Sequence, residues 1–154
     1  MKISVKASNQ WTKGRKPMTY YVIYDGDCNL CVTFTQILAQ FDQGQLFNYA
    51  RMQDTQTLAH FGITAKECEK GVILLDSHDW GQRWQGSAAI EEIVNLLPLG
   101  EAFIATYRCL PGLKWVGDRA YAQIRDRRYE WFGCRTKPHD TPYPVNPSCS
   151  LSES

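Results

Sequence analysis

The apolar and polar positions alternate between two periods along this chain. Residues 20 to 24, YYVIY, are a continuous β-branched and aromatic run, the pattern of a strand buried on both faces. Asp25-Gly26-Asp27 breaks it, and Asp27 is placed to cap a helix that starts at Cys28. Leu30, Phe34, Ile37, Leu38 and Phe41 then recur at helical spacing, with Gly44 just beyond. Residues 45 to 50, QLFNYA, predict a second strand, so the opening is a βαβ unit with parallel strands and a right-handed crossover. Asp54 predicts a short helix stopped by Gly62, and Thr64 with Glu67 a capping box ending at Gly71. VILLD (72–76) and WGQRWQG (80–86) predict a β-hairpin with an edge strand, Trp80 and Trp84 sharing one face. A helix capped by Ser87 carries Ile90, Ile93, Val94 and Leu97. Two more helices are expected, at about 100–110, ended by Pro111-Gly112, and at 118–132, capped by Asp118 and stopped by Gly133.

The order is βαβ, a helical connection, a hairpin and a helix. This predicts an α/β protein with a thioredoxin-like arrangement: a four-stranded mixed sheet flanked by helices, with extra C-terminal helices. A chain of 154 residues suits a single core. The expected division is an arm over 1–18, a domain over 19–135 and a Pro-rich tail over 136–154. Pro17 punctuates the arm, and Trp11 is expected to pack it back onto the domain.

A net charge of +1 gives no global reason to expect nucleic acid, and the apolar runs are too short to span a bilayer. The N-terminus is basic but lacks the apolar segment of a secretory signal. Cysteines stand at 28, 31, 68, 109, 134 and 149, with one close pair. That usage predicts a reducing compartment, most simply the cytoplasm, where a CxxC serves redox or metal chemistry more often than structure.

The spacing of Cys28 and Cys31 places them one helical turn apart at a helix N-terminus. Unpaired backbone N–H groups and the helix dipole stabilise a thiolate there. Cys28, in the first turn, is expected to be the more acidic, attacking thiol. Cys31, nearer the apolar stripe, is expected to be less exposed and to resolve the mixed disulfide. Asp27 and Asp25 oppose the thiolate, and no Lys or Arg lies between Tyr20 and Ala50, so only a moderate lowering of the Cys28 pKa is expected. Asp25 is a candidate to receive or deliver the Cys31 proton.

Other readings remain open. The two thiols are also compatible with core packing or with half of a zinc site completed by Cys134, His139 or Cys149. Four-cysteine iron–sulfur ligation fits by number but not by spacing. Cys68 is expected to be a half-exposed bystander or an extra redox partner, and Cys109 a core residue. Cys134 and Cys149 flank a flexible stretch and are able to pair on oxidation. His60 and His78 are expected at a helix end and a turn. Arg125, Arg127, Arg128 and Arg135 are expected on a solvated face balanced by Asp126 and Glu130.

Y-D-G-D-C-N-L-C resembles the signature of the DCC family, named for Asp-x-x-Cys-x-x-Cys: here Asp25, Cys28 and Cys31. G-S-A-A-I (86–90), L-P-L-G (97–100) and the pair Asp118 and Tyr121 are similar to later pieces of that family, in order. The resemblance runs from about residue 20 to 132. It implies a thioredoxin-like thiol-disulfide oxidoreductase. Chemistry at two thiols needs no metal or organic cofactor, and the expected partners are a dithiol or disulfide protein or a small thiol. One departure from thioredoxin-like proteins concerns docking. They place a cis-proline before the third strand, whereas no proline lies between Pro17 and Pro98 here. A non-catalytic thioredoxin-like binding module, using its groove or its arginine-bearing helices, is the second functional reading.

Overall fold

A strand that is apolar on both faces needs cover on both sides, and β1 (Tyr20–Tyr24) has it. The computed structural model describes residues 20–79, 81–137 and 140–145. After β1 come α1 (Asn29–Asp42), β2 (Phe47–Arg51), α2 (Thr55–His60), α3 (Ala65–Cys68), β3 (Ile73–Asp76), β4 (Arg83–Gln85), α4 (Ser87–Leu96), α5 (Gly100–Cys109) and α6 (Pro111–Phe132). The sheet order is β2-β1-β3-β4. β1 runs parallel to β2 and antiparallel to β3, and β4 is antiparallel to β3. This is the α/β, four-stranded mixed sheet flanked by helices that the residue pattern predicts, and it is thioredoxin-like.

Alternation along β1 divides the core. Tyr20, Val22 and Tyr24 join Phe47, Tyr49 and Leu74 under α1 and α4, where Val32, Leu38, Ala89 and Ile93 complete the layer. Ile23 joins Ala50, Ile73 and Leu75 on the other face, closed by Leu58, Ile63 and Cys68. Trp84 lies partly buried with its ring 6.5 Å from that of Tyr20, while Trp80 is outside the described residues.

Several elements differ in detail from the expectation. The N-cap of α1 is Cys28 rather than Asp27. The buried face of α1 is Val32, Thr35, Leu38, Ala39 and Asp42, whereas Ile37 and Phe41 are exposed. Asp42 sets this rotation: its carboxylate accepts from Leu46 N and Phe47 N, at 2.9–3.1 Å, and so ties the end of the helix to the start of β2. Thr35 and Ala39 are small and let the helix approach the sheet. Gly86, not Ser87, is the N-cap of α4. Pro111 opens α6 instead of ending α5. At the first helical position its missing N–H removes nothing, so α6 starts before Asp118, which sits inside the helix 3.5 Å from Lys114. Cys109 is exposed, not core. The arm over 1–18 lies outside the described residues. In the tail, Tyr143 O accepts from Tyr49 N and Val145 N donates to Tyr49 O, both at 3.0 Å, so this segment runs along the free edge of β2.

Helix α6 packs against α1, α4 and α5. Glu91 of α4, buried, receives Arg108 at 3.2 Å and Lys114 at 2.6 Å, which links the three C-terminal helices. Among the described residues no helix is long and apolar enough to cross a membrane.

Leu74 has no exposed surface and stands between β1 and β4. Leu74→Ala is expected to destabilise the fold by about 2–5 kcal/mol, read from urea unfolding at constant slope.

Candidate active site

The end of β1 turns through Asp25-Gly26-Asp27 into α1, and the turn is built by Asp25. Its Oδ1 accepts from Asp27 N at 2.9 Å and from Gln53 Nε2 at 2.8 Å. Its Oδ2 accepts from Arg128 Nη2 at 3.1 Å and from the Tyr129 hydroxyl. Asp25 and Arg128 are both buried. A buried carboxylate is tolerated when its lone pairs and its charge are met in this way.

Arg128 corrects the sequence expectation. The charge pattern puts it on a solvated face, yet it is 7% exposed and reaches under the CxxC turn. Tyr121, Arg125, Arg128 and Tyr129 share one face of α6 by their spacing of four, three and one. Tyr121 Oη accepts from Val72 N at 3.3 Å, and Arg125 Nη1 donates to Lys70 O at 3.4 Å. This face is polar, so a search for apolar periodicity passes over it; the spacing of the tyrosines and arginines was the available signal.

Cys28 has backbone angles of −94° and 119°, and its sulfur accepts from Cys31 N at 3.4 Å. It thus takes the N-cap role usually filled by an oxygen. Its pKa is lowered to about 6. The main cause is a hydrogen bond from the Cys31 thiol, which outweighs burial; the Cys31 amide and Arg128 assist, and Asp25 opposes. The Cys31 pKa is raised because its proton is held by Cys28, with burial next in importance. The order of acidity is the expected one. The order of exposure is reversed: Cys28 has no exposed surface and Cys31 is partly exposed. The reason lies beyond α6, where the backbone at Cys134 bridges to Cys28.

Beside Cys31 is a cavity of about 20 Å³ lined also by Asp25, Cys68, Val72 and Arg128, among others. That is room for one water. Cys68 is buried there, not half-exposed, and burial raises its pKa. A larger open hollow of about 660 Å³ lies between α1 and the tail and contains no thiol. The docking position before β3 is filled from within. Gly71, at a φ of 120°, and Gly86, at 63°, leave space that the Tyr121 ring occupies, and a Cβ at either would press against it. Tyr121 also takes the Val72 N–H. His60 and His78 lie at the end of α2 and in the turn after β3, and neither lines the cavity beside Cys31. His139 and Cys149 are outside the described residues. Among the described residues no three His, Cys, Asp or Glu side chains are grouped to hold a metal.

A family model described as DCC1-like thiol-disulfide oxidoreductase matches residues 22–134, which include the CxxC, the cavity and all of α6. The chain belongs to the DCC1-like thiol-disulfide oxidoreductase family. Membership supports a thiol-disulfide redox role, and the Cys28–Cys31 pair is where this chain carries its CxxC. Comparison with curated proteins and with solved structures found no match.

Two predictions come from this geometry. Arg128→Met leaves Asp25 buried and unpaired, and is expected to cost roughly 3–5 kcal/mol. Adding Asp25→Asn is expected to recover part of that loss in denaturant unfolding. The second concerns pH. An acid whose pKa is lower in the folded chain stabilises it where the group is ionised. The Cys28 contribution is therefore full above the ordinary thiol value of 9.0 and is lost as pH falls through about 6. Cys31, held protonated, acts oppositely above the ordinary value, where the unfolded chain releases a proton that the folded one retains. The melting temperature of the reduced protein, relative to reduced Cys28→Ser, is expected to rise as pH climbs from about 6 towards 9. A flat difference would remove the lowered Cys28 pKa.

Proposed function

We propose that the protein is a thiol-disulfide oxidoreductase in which Cys28 is the nucleophile and Cys31 the resolving thiol. The observation that carries this is the place of Cys28 at the start of α1, where its sulfur caps the helix by accepting from Cys31 N at 3.4 Å; the neighbouring Cys31 thiol lowers its pKa to about 6.

In the reducing direction the Cys28 thiolate attacks one sulfur of a disulfide. The substrate S–S bond breaks, one substrate thiolate leaves and takes a proton from solvent, and a mixed disulfide forms. Cys28 is then neutral and no longer holds the Cys31 proton, so the main cause of the raised Cys31 pKa disappears. Arg128 favours the Cys31 thiolate that results. Asp25, across the small cavity, is the proposed acceptor of that proton, through a water. Cys31 attacks Cys28 Sγ, the second substrate thiolate leaves with a proton, and a Cys28–Cys31 disulfide remains. Two electrons have passed to the substrate. No metal or organic cofactor takes part. A dithiol protein or a small thiol reverses the sequence and restores the enzyme.

The substrate is a disulfide protein or a small-molecule disulfide. Tyr121 occupying the Val72 amide argues for a narrower range than that of proteins which dock extended peptides at this position. The sparse pairing of the cysteines supports a reducing, cytoplasmic setting.

The test is a redox titration of the full chain, alkylated at each buffer potential and read by intact mass and peptide mapping. A reversible two-electron transition confined to Cys28 and Cys31 is expected, together with loss of disulfide reduction to the buffer background in Cys28→Ser. If Cys28 and Cys31 never form a disulfide, the proposed chemistry is wrong.

A further inference from the structure

A nucleophile has to meet its substrate, yet Cys28 has no exposed surface. The segment that covers it is Gly133–Arg135, immediately after α6. Asn29 N donates to Gly133 O at 3.3 Å, and Arg135 N donates to Asp27 O at 2.7 Å. Asn29 Nδ2 also donates to Phe132 O at 2.8 Å. These bonds make an antiparallel bridge that pairs Cys28 with Cys134.

The two backbone bonds flank the pair instead of joining it. Cys28 and Cys134 are thus a non-hydrogen-bonded antiparallel pair, whose side chains share a face and whose Cα atoms stand about 4.5 Å apart. That spacing falls at the short end of the range of about 4.4–6.8 Å that disulfides span. Cys134 is a free, exposed thiol. The arrangement therefore sets an exposed sulfur opposite a buried one whose pKa is lowered.

We propose that Cys134 is a third redox thiol, which meets the external disulfide and hands it to buried Cys28. This rests on the exchange chemistry proposed for Cys28 and Cys31. The Cys134 thiol, giving up its proton, attacks the substrate disulfide, and the first substrate thiol leaves. The Cys28 thiolate attacks Cys134 Sγ. The second substrate thiol leaves, and a Cys28–Cys134 disulfide forms. Cys31 attacks Cys28 Sγ, which breaks that bond, makes the Cys28–Cys31 disulfide and returns Cys134 as a thiol. In sum, the Cys28 thiolate, the Cys31 thiol and one solvent proton give the Cys28–Cys31 disulfide, while one substrate disulfide becomes two thiols. Cys134 is unchanged over the cycle.

This assignment gives the covering segment a role. A strap that only buried Cys28 would block exchange, whereas one that carries a thiol at the bridge position conducts it. Cys28 has a partner on each side, Cys31 within its helix and Cys134 across the bridge, and the two compete for the same sulfur.

The test traps the relay before its last step. Full-length Cys31→Ser, with Cys31→Ala as a second trap, is treated with glutathione disulfide. It is then alkylated, digested without reduction and mapped by mass. The expected product is a Cys28–Cys134 disulfide, two hydrogens lighter than the reduced chain and absent from Cys31→Ser/Cys134→Ser. In the chain with Cys31 intact, Cys134→Ser is expected to slow oxidation of the Cys28–Cys31 pair by glutathione disulfide roughly tenfold or more. Circular dichroism checks that this exposed substitution leaves the fold in place. The proposal is overturned if both traps stop at a glutathione adduct of Cys28 or link it to another cysteine. It is equally overturned if Cys134→Ser oxidises at the wild-type rate. The trapped link does not need Cys31. A wild-type chain that forms no Cys28–Cys31 disulfide while the traps form Cys28–Cys134 would therefore count against the parent function and not against Cys134.

Discussion

The ion pair between Asp25 and Arg128 joins the two ends of the described chain at the point where its chemistry is placed. Asp25 ends the central strand, and Arg128 comes from the last helix. Neither charge is stable alone at that depth. Together with Gln53, Tyr129 and the Asp27 amide they form a network that satisfies both oxygens of the Asp25 carboxylate. The pair fixes the turn that presents Cys28 and fixes the register of α6 over the sheet. Once α6 is seated, Tyr121 reaches the Val72 amide and the chain beyond Phe132 is carried across Cys28.

The same pair sets the electrostatics of the thiols. Asp25 disfavours a thiolate at either sulfur, and Arg128 favours one. Their opposition leaves the balance to the local contact, in which one thiol donates to the other. The neighbouring thiol and the Cys31 amide at the helix start do most to make Cys28 acidic, while Arg128 assists and Asp25 opposes. A site arranged in this way changes its preference when Cys28 is engaged. The proton that Cys28 holds on Cys31 is free to leave once Cys28 becomes part of a disulfide.

Thioredoxin-like proteins with an open groove present their CxxC beside an uncovered strand end. Here that surface is occupied by parts of the same chain. Tyr121 lies between Gly71 and Gly86, the Gly133–Arg135 strap crosses Cys28, and Tyr143 and Val145 pair with the outer edge of β2. The covering elements are all C-terminal to the four-stranded sheet. The extra C-terminal helices of this chain therefore act on the site directly, as its walls and as the source of its buried cation.

The sequence by itself determined the sheet order's raw material, the helix start at the CxxC, the capping by Asp54 and Thr64, and the acidity order of the two thiols. Each of these depends on residues within one or two turns of one another: an apolar run of five, an Asx or Thr at a helix start, two cysteines three apart. The tertiary structure alone decided what lies opposite Cys28. The charged neighbours of Arg128 in sequence, Arg125, Arg127 and Glu130, point to a solvated face; only the packing of α6 on α1 and α4 turns that one side chain inward. The buried face of α1 follows Asp42 rather than the largest apolar residues, because a carboxylate held by two amide donors outweighs the burial of Ile37 and Phe41. Cys28 came out more buried than Cys31 because its cover is a segment about a hundred residues away in sequence. Local periodicity records which residues are compatible with an element. Which buried charge meets which partner, and which thiol faces which, depends on contacts between elements that no single stretch encodes.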